Sequence, residues 1–440
     1  MSAPSHEAAR EGRGAHRGTP VIVGGNRIPF GKAGGGYAAA SNQDMLTAAL
    51  DGLIARYGLA GERLGEVAAG AVLKHAKDFN LTREAVLGSA LAPTTPAYDL
   101  QQACGTGLET VIQVANKVSL GQIDAGIAGG VDSASDAPIA VSDGLRSALL
   151  KASRAKSVPQ RLAALAAIRP RDLTPDTPRN SEPRTGLSMG EHQAITAKVW
   201  DISREAQDEL AAASHQHLAA AWESGFFDDL ATPFLRLTRD EGLRPDTSVD
   251  TLAALKPVFG EGEGATMTAG NSTPLSDGAA LVLVADQAWA SERNLPTLAR
   301  IVDAEVAAVD YVSGDEGLLL APAYAVSRLL DRHGLALQDF DEYEIHEAFA
   351  STVLATLAAW ESNEYCIDRL GRSEALGGID RDKLNIHGSS LAAGHPFAAT
   401  GGRIVATLAK SLAQRRRGSR GLVSICAAGG QGVVAILEAV

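Results

Sequence analysis

Apolar residues along this chain fall into two alternating patterns. Short unbroken runs, such as Val21-Ile22-Val23, Ala125–Gly130 (AGIAGG) and Ala279–Ala285 (AALVLVA), have the length of strands covered on both faces. Between them apolar positions recur at three- and four-residue intervals. Leu108, Val111, Ile112, Ala115 and Val118 do so after Thr106-Gly107, which is the one-face spacing of an amphipathic helix. The pattern predicts a helix over Asp44–Tyr57, a strand over Val67–Leu73, the helix after Thr106, and a strand at Ala125–Gly130 stopped by its own glycines. A strand at Ala279–Ala285 follows. The chain then predicts a strand near Ala299–Val309, a helix near Ala323–His333, a strand at Tyr343–His346, a helix at Gly402–Leu412 and a strand at Gly421–Cys426, before closing with VVAILEAV. Strand, glycine turn and helix in alternation mark an α/β fold.

Two turn-to-helix corners look like counterparts. QQACGTGLETVIQVANKV and SLAAGHPFAATGGRIVATLAKSL each place a reactive side chain, Cys104 or His395, just before a helix with Ala and Gly in its first turns. Internal duplication accounts for this most simply. Two similar α/β halves are expected, with their sheets or helices packed face to face. The first takes residues 20–142 plus 265–292, and the second 293–440. Residues 143–264 are richer in Arg, Pro and helical pieces such as REAQDELAAASHQHLAAAWESG, and read as an excursion covering the site. Residues 1–19 are polar and lack an apolar core segment, so they read as a disordered tail and neither a signal peptide nor an anchor.

Composition narrows the function. At 440 residues the chain exceeds one core. Its net charge of −12 argues against nucleic acid as a partner. No apolar run reaches the ~18 residues of a membrane span, so no integral membrane contact is expected. Three scattered cysteines make neither a disulfide framework nor a zinc pair, which fits a reducing, cytoplasmic setting. An anionic ligand would need a local basic patch or helix N-termini.

Candidate chemistry lies in four places: Cys104; His346 in EIHEAF; His395 between Gly394 and Pro396; and Cys426 in SICAAGGQG. Cys104 sits at or just before a helix N-terminus, where unpaired N–H groups and the dipole lower a thiol pKa. A buried structural thiol is the alternative for Cys104 alone. HExxH fails after His346 and no ligand pair has zinc-finger spacing, so no metal site is expected.

Taken in order, QQACGTG, AGNSTPLSDGAA (Ala269–Ala280), HEAF, GHP and CAAGGQG resemble the signatures of the thiolase family over Pro20–Val440. The resemblance implies the layered α-β-α-β-α thiolase fold and an acyltransferase. Such enzymes cleave a 3-ketoacyl-CoA with CoA, or run the reverse Claisen condensation, with CoA as a substrate and no permanently bound cofactor. It implies that Cys104 carries the acyl group, that His395 accepts its proton, and that Cys426 exchanges a proton with the acetyl-CoA carbanion. His346, through a water, and His395 would hold the enolate oxygen. The backbone N–H groups of Cys104 and Ala428 would form the acyl-enzyme oxyanion hole. Thr273 would touch the CoA arm, and Met189 would line the space near the reacting sulfur or simply pack there.

Two departures stand out. His346 replaces the Asn of many thiolases, and Ala428 replaces a Gly. HEAF resembles the β-subunits of fatty-acid trifunctional complexes, which implies fatty-acid β-oxidation beside an enoyl-CoA hydratase/3-hydroxyacyl-CoA dehydrogenase subunit. The family implies a homodimer or a dimer of dimers. A β-ketoacyl synthase, with one Cys and two His, is the rival enzyme class, and Cys426 argues against it because a decarboxylating synthase needs no second thiol. From Arg146 to Arg171 there are seven basic residues and no acidic ones. Lys151, Arg154 and Lys156 in this run are candidates for the CoA phosphates, with a solvated helix face or a partner-docking surface as the alternatives.

Overall fold

The computed structural model describes residues 18–262 and 264–440. The expected disordered tail, 1–19, lies outside them except for its last two residues. In the first half β1 (Pro20–Arg27) is followed by α1 (Asn42–Tyr57), β2 (Glu66–Ala69), α2 (Leu81–Gly88), β3 (Ala97–Asp99), α3 (Thr106–Ser119) and β4 (Ala125–Ser133). A long excursion carries α4 (Asp143–Arg154), α5 (Val158–Ala166), α6 (Met189–Val199) and α7 (Arg204–Glu223) before β5 (Ser276–Asp286) rejoins the sheet. The second half brings β6 (Ala299–Ala308), α8 (Ala321–His333), β7 (Glu342–Ile345), α9 (Ala350–Glu361), α10 (Ala399–Ala413), β8 (Arg420–Ala427) and β9 (Gln431–Ala439).

Strand order exposes the duplication. It runs β3-β2-β4-β5-β1-β6-β9-β8-β7. From β1 outward, β5 and β4 pair antiparallel in turn and β2 pairs parallel with β4. From β6 outward, β9 and β8 do the same and β7 pairs parallel with β8. The halves also join at an edge, which the hydrophobic pattern does not reveal. Val21 and Ile22 of β1 pair antiparallel with Arg300 and Ala299 of β6, so the half-sheets are one sheet of ten strands, the tenth being the two-residue Gly31–Lys32 that pairs with β5 off this order.

Alternation along the strands sorts the layers. Val21 and Val23 face α1 beside Met45, Leu46 and Leu53. Ile22 faces the other way, into a core holding Val111 and Val114 of α3 and Ile404, Val405 and Leu408 of α10. Tyr343 and Ile345 of β7 pack with Leu329 of α8 and Val353 of α9 on the far side. The result is an α-β-α-β-α stack with α3 and α10 in the middle. Burying each such aliphatic side chain contributes roughly 1.5–3 kcal/mol, which fixes both central helices firmly.

Close backbone approach brings the two corners together. A Cβ at Gly107 would lie 2.4 Å from the Ala398 carbonyl oxygen, and one at Gly401 would lie 2.1 Å from the Leu108 nitrogen. Glycine here serves helix contact. The same reason corrects one predicted boundary: β4 continues through Gly129 and Gly130 to Ser133, and does not stop there. A Cβ at Gly130 would meet the Ala398 carbonyl oxygen at 2.4 Å. A second boundary moves inward, because β2 ends at Ala69 and not at Leu73. Beyond it, the Val72 and Leu73 amides donate to the Asp132 carboxylate at 2.9 and 2.7 Å, and so leave the ladder. Among the described residues, no helix is long and apolar enough to cross a membrane.

Candidate active site

The Cys104 corner is a tight turn. Ala103 has φ 46°, a left-handed conformation that costs an L-residue on the order of 1–3 kcal/mol. Thr106 closes the turn: its hydroxyl accepts from the Gln102 amide at 2.8 Å and donates to the Ala103 carbonyl at 2.7 Å. The Gln102 side chain donates to Gln431 Oε1 at 3.1 Å, joining this corner to the CAAGGQG turn of the other half.

The His395 corner is built differently. Gly394 has φ 97°, and the His395 amide donates to Ser276 Oγ at 3.1 Å. Buried Asp132, on β4, accepts the Ala398 amide at 2.8 Å and so ties this corner to the first half. His395 Nδ1 lies 2.6 Å from Thr400 Oγ1, and Nε2 lies 3.1 Å from Cys104 Sγ. A thiol and an imidazole separated by 291 positions are therefore in hydrogen-bond contact.

His346 enters from the end of β7, its amide donating to the Ser424 carbonyl at 2.8 Å. Its ring centroid is 4.1 Å from that of His395. Nδ1 lies 2.8 Å from Ser390 Oγ, while Nε2 is buried without a partner among the described residues. Ligand-type atoms of Cys104, His346 and His395 all lie within 4.8 Å of one another. That spacing serves a nucleophile with acid–base partners, and also a soft metal. Cys426, 4% exposed at the end of β8, belongs to an apolar cluster with Met267, Leu318 and Phe349, against which Met189 packs.

Electrostatics reverse one expectation. The helix terminus does not prevail at Cys104: burial pushes its thiol up to about 12, although the Ala428 N–H and its own N–H pull the other way. Nearby Asp132 adds to the rise. Burial, helped by the Arg403 charge, pushes His395 down to about 3. At neutral pH the pair therefore rests as thiol and neutral imidazole. Burial raises the Cys426 thiol, with Cys104 adding to it, and holds the His346 ring well below its usual range.

Of the remaining candidates, Thr273 has its hydroxyl donated to the Glu347 carbonyl, beside HEAF. Lys151 and Arg154 on α4, and Lys156 after it, are exposed. Sequence reasoning passed over several residues that hold the site. Thr400, Ser390 and Asp132 fix His395, His346 and the corner at Ala398. Glu182, from the excursion, accepts the Gly429 amide at 2.7 Å and the Tyr311 hydroxyl at 2.8 Å, bracing the turn that holds Ala428. Their one signal was position inside or beside a glycine-rich motif; Glu182 had none.

The chain matches the family model for the thiolase N-terminal domain over residues 20–288 and that for the thiolase C-terminal domain over 295–439. It is 39% identical over 424 residues to a 3-ketoacyl-CoA thiolase of Yersinia pestis (strain Pestoides F), covering 95% of this chain and 96% of that protein. Among solved structures, the Bacillus anthracis acetyl-CoA acetyltransferase superposes with a TM-score of 0.79 at 29% identity, over 97% of this chain and all of that one. Human mitochondrial 3-ketoacyl-CoA thiolase, whose complex with CoA is also solved, gives 0.78 at 27%, with the same coverage. With both domain models matched in order across the two halves, this chain belongs to the thiolase family and is an acyltransferase.

Proposed function

We propose that this thiolase cleaves 3-ketoacyl-CoA with CoA, releasing acetyl-CoA and a shortened acyl-CoA, through an acyl-Cys104 intermediate. The contact of His395 Nε2 with Cys104 Sγ at 3.1 Å carries the reading. The thiol attacks the 3-keto carbon as its proton passes to His395. The C2–C3 bond then breaks, its electron pair becoming the acetyl-CoA enolate, and the Cys426 thiol protonates that carbanion. His395 returns a proton to the Cys426 thiolate. After acetyl-CoA leaves, the CoA thiol attacks the thioester, His395 takes its proton, and Cys104 leaves as a thiolate that recovers it. His395 and, through a water, His346 hold the enolate oxygen, and the Cys104 and Ala428 N–H groups hold the acyl-enzyme oxyanion; both N–H groups already favour a negative sulfur. This role uses Cys104, His346 and His395 as reactive groups and not as metal ligands, so dialysis against a chelator leaves the rate unchanged.

Met189 borders the reacting sulfurs, Thr273 meets the CoA arm, and Lys151, Arg154 and Lys156 attract its phosphates, with residues 143–264 as the excursion over the CoA side. HEAF supports fatty-acid β-oxidation beside a hydratase/dehydrogenase subunit, in a cytoplasmic homodimer or dimer of dimers; co-purification and light scattering test these. The activity itself is tested by CoA-dependent loss of the 3-ketoacyl-CoA enolate absorbance. No loss across a series of acyl lengths would remove the proposal.

A further inference from the structure

The two histidines of the site stand side by side but have different neighbours. A base at His395 Nε2 needs its lone pair there, so the one proton of the neutral ring sits on Nδ1 and donates to Thr400 Oγ1, 2.6 Å away. His346 Nδ1 instead faces Ser390 Oγ at 2.8 Å, and its proton position depends on what that hydroxyl is free to do. Arg403 decides it. Buried Arg403 donates from Nη2 to Ser390 Oγ at 2.9 Å and to Ser389 Oγ at 3.2 Å, and a guanidinium has no acceptor to offer in return. Among the described residues Ser390 Oγ has two hydrogen-bond partners, Arg403 and His346, and only the second can accept. The Ser390 hydrogen therefore points at Nδ1.

We propose that the Arg403–Ser390 pair positions His346 as the Nε2–H tautomer, making its ring a hydrogen-bond donor that serves, through the water, the oxygen that gains charge when the carbon–carbon bond breaks. Nε2, buried and without a partner among the described residues, is the atom so aimed. The opposite tautomer would leave the Ser390 hydrogen without an acceptor and turn a lone pair toward an anion. Arg403 also helps to keep the ring neutral, the state in which a tautomer exists at all. Glu344 and Glu347 nearby favour its charge, although burial raises both carboxyls, Glu344 to about 8. Ser390 and Arg403 are positioning residues, and their assignment rests on the roles given to His346 and His395 above.

The wild-type enzyme labelled with 15N-histidine gives the first test. His346 should show a protonated, pyrrole-type Nε2 and a pyridine-type Nδ1, with His395 the reverse. Ser390→Ala should lower kcat for 3-ketoacyl-CoA cleavage roughly 10–100-fold, the range for removing the partner that orients a functional histidine. It should leave the CoA KM and the exchange of labelled CoA into acetyl-CoA unchanged, and Ser390→Thr should restore cleavage. A wild-type His346 protonated on Nδ1 overturns the proposal whatever the variants do. So does a Ser390→Ala enzyme that cleaves normally, or one that loses exchange and cleavage equally. A wild-type enzyme with neither cleavage nor exchange would instead sink the assigned reaction, and the tautomer spectrum would still decide the relay.

Discussion

The Cys104 and His395 corners occupy equivalent places in duplicated halves, yet they are built on opposite principles. Each precedes a central helix, α3 or α10, that leads into an inner strand of its half-sheet. The Cys104 corner forces an alanine, Ala103, into the left-handed region and holds it with Thr106. The His395 corner places its positive φ at Gly394, where glycine carries it freely, and anchors itself across the interface, on Ser276 and Asp132 of the other half. Duplication thus supplied two similar scaffolds facing one another, and divergence loaded one with a thiol and the other with an imidazole. The contact between Cys104 and His395 belongs to neither half alone. It exists where α3 and α10 touch through Gly107 and Gly401.

The largest expected effects test the division of labour between the two thiols. Cys104→Ala should eliminate both 3-ketoacyl-CoA cleavage and exchange of labelled CoA into acetyl-CoA, since no thioester can form. Cys426→Ala should abolish cleavage and condensation but leave that exchange measurable, because exchange creates no carbanion. Robust condensation by Cys426→Ala would assign the proton to another group. Next comes His346, the second imidazole from the His395 half. His346→Ala should lower kcat for cleavage by roughly 10²-fold, as deleting one oxyanion donor does. His346→Asn should retain part of the activity, and equal turnover of Ala and wild type would make the residue structural.

Separating the corners mechanically is a milder intervention. The Cβ of Gly401→Ala would lie 2.1 Å from the Leu108 nitrogen, so the helices must part. A destabilisation of about 1–3 kcal/mol is expected from such overpacking, seen as a lower melting temperature with reduced kcat. Wild-type melting would show that the contact is looser than it looks. The resting protonation of the pair can be read by alkylation. With the thiol raised to about 12 and His395 lowered to about 3, the thiolate fraction climbs with pH through the neutral range, about tenfold per unit. Alkylation of Cys104 should follow that slope; a plateau near neutrality would reveal a thiolate–imidazolium pair. Finally, only the first half carries the basic excursion. Reversing Lys151, Arg154 and Lys156 to Glu should raise the CoA KM several-fold with kcat nearly intact, as lost uniform binding does. An unchanged KM would assign that surface to something else.

Local pattern determined much of this protein. Periodicity placed most strands and about half of the helices within a few residues, because a strand covered on both faces and a helix covered on one leave distinct apolar spacings; it missed α2, α4, α5, α6 and α9. The glycine-rich corners singled out Cys104, His395 and Cys426 as candidates, since motifs built on close backbone approach constrain each position they contain, and the HEAF stretch singled out His346. Tertiary structure alone decided the rest. Glycines 129 and 130 read as a strand end, but Gly130 is the gap through which Ala398 reaches β4, and Gly129 lies against Ala280 of the neighbouring strand. The helix dipole argued for an acidic Cys104 thiol, but burial outweighed it, and burial depends on what the other half packs on top. Asp132, Glu182, Ser390 and Arg403 work through partners on separate elements, between 13 and 266 positions away. Such partnerships leave no local spacing to read, because they form only when the halves close on each other.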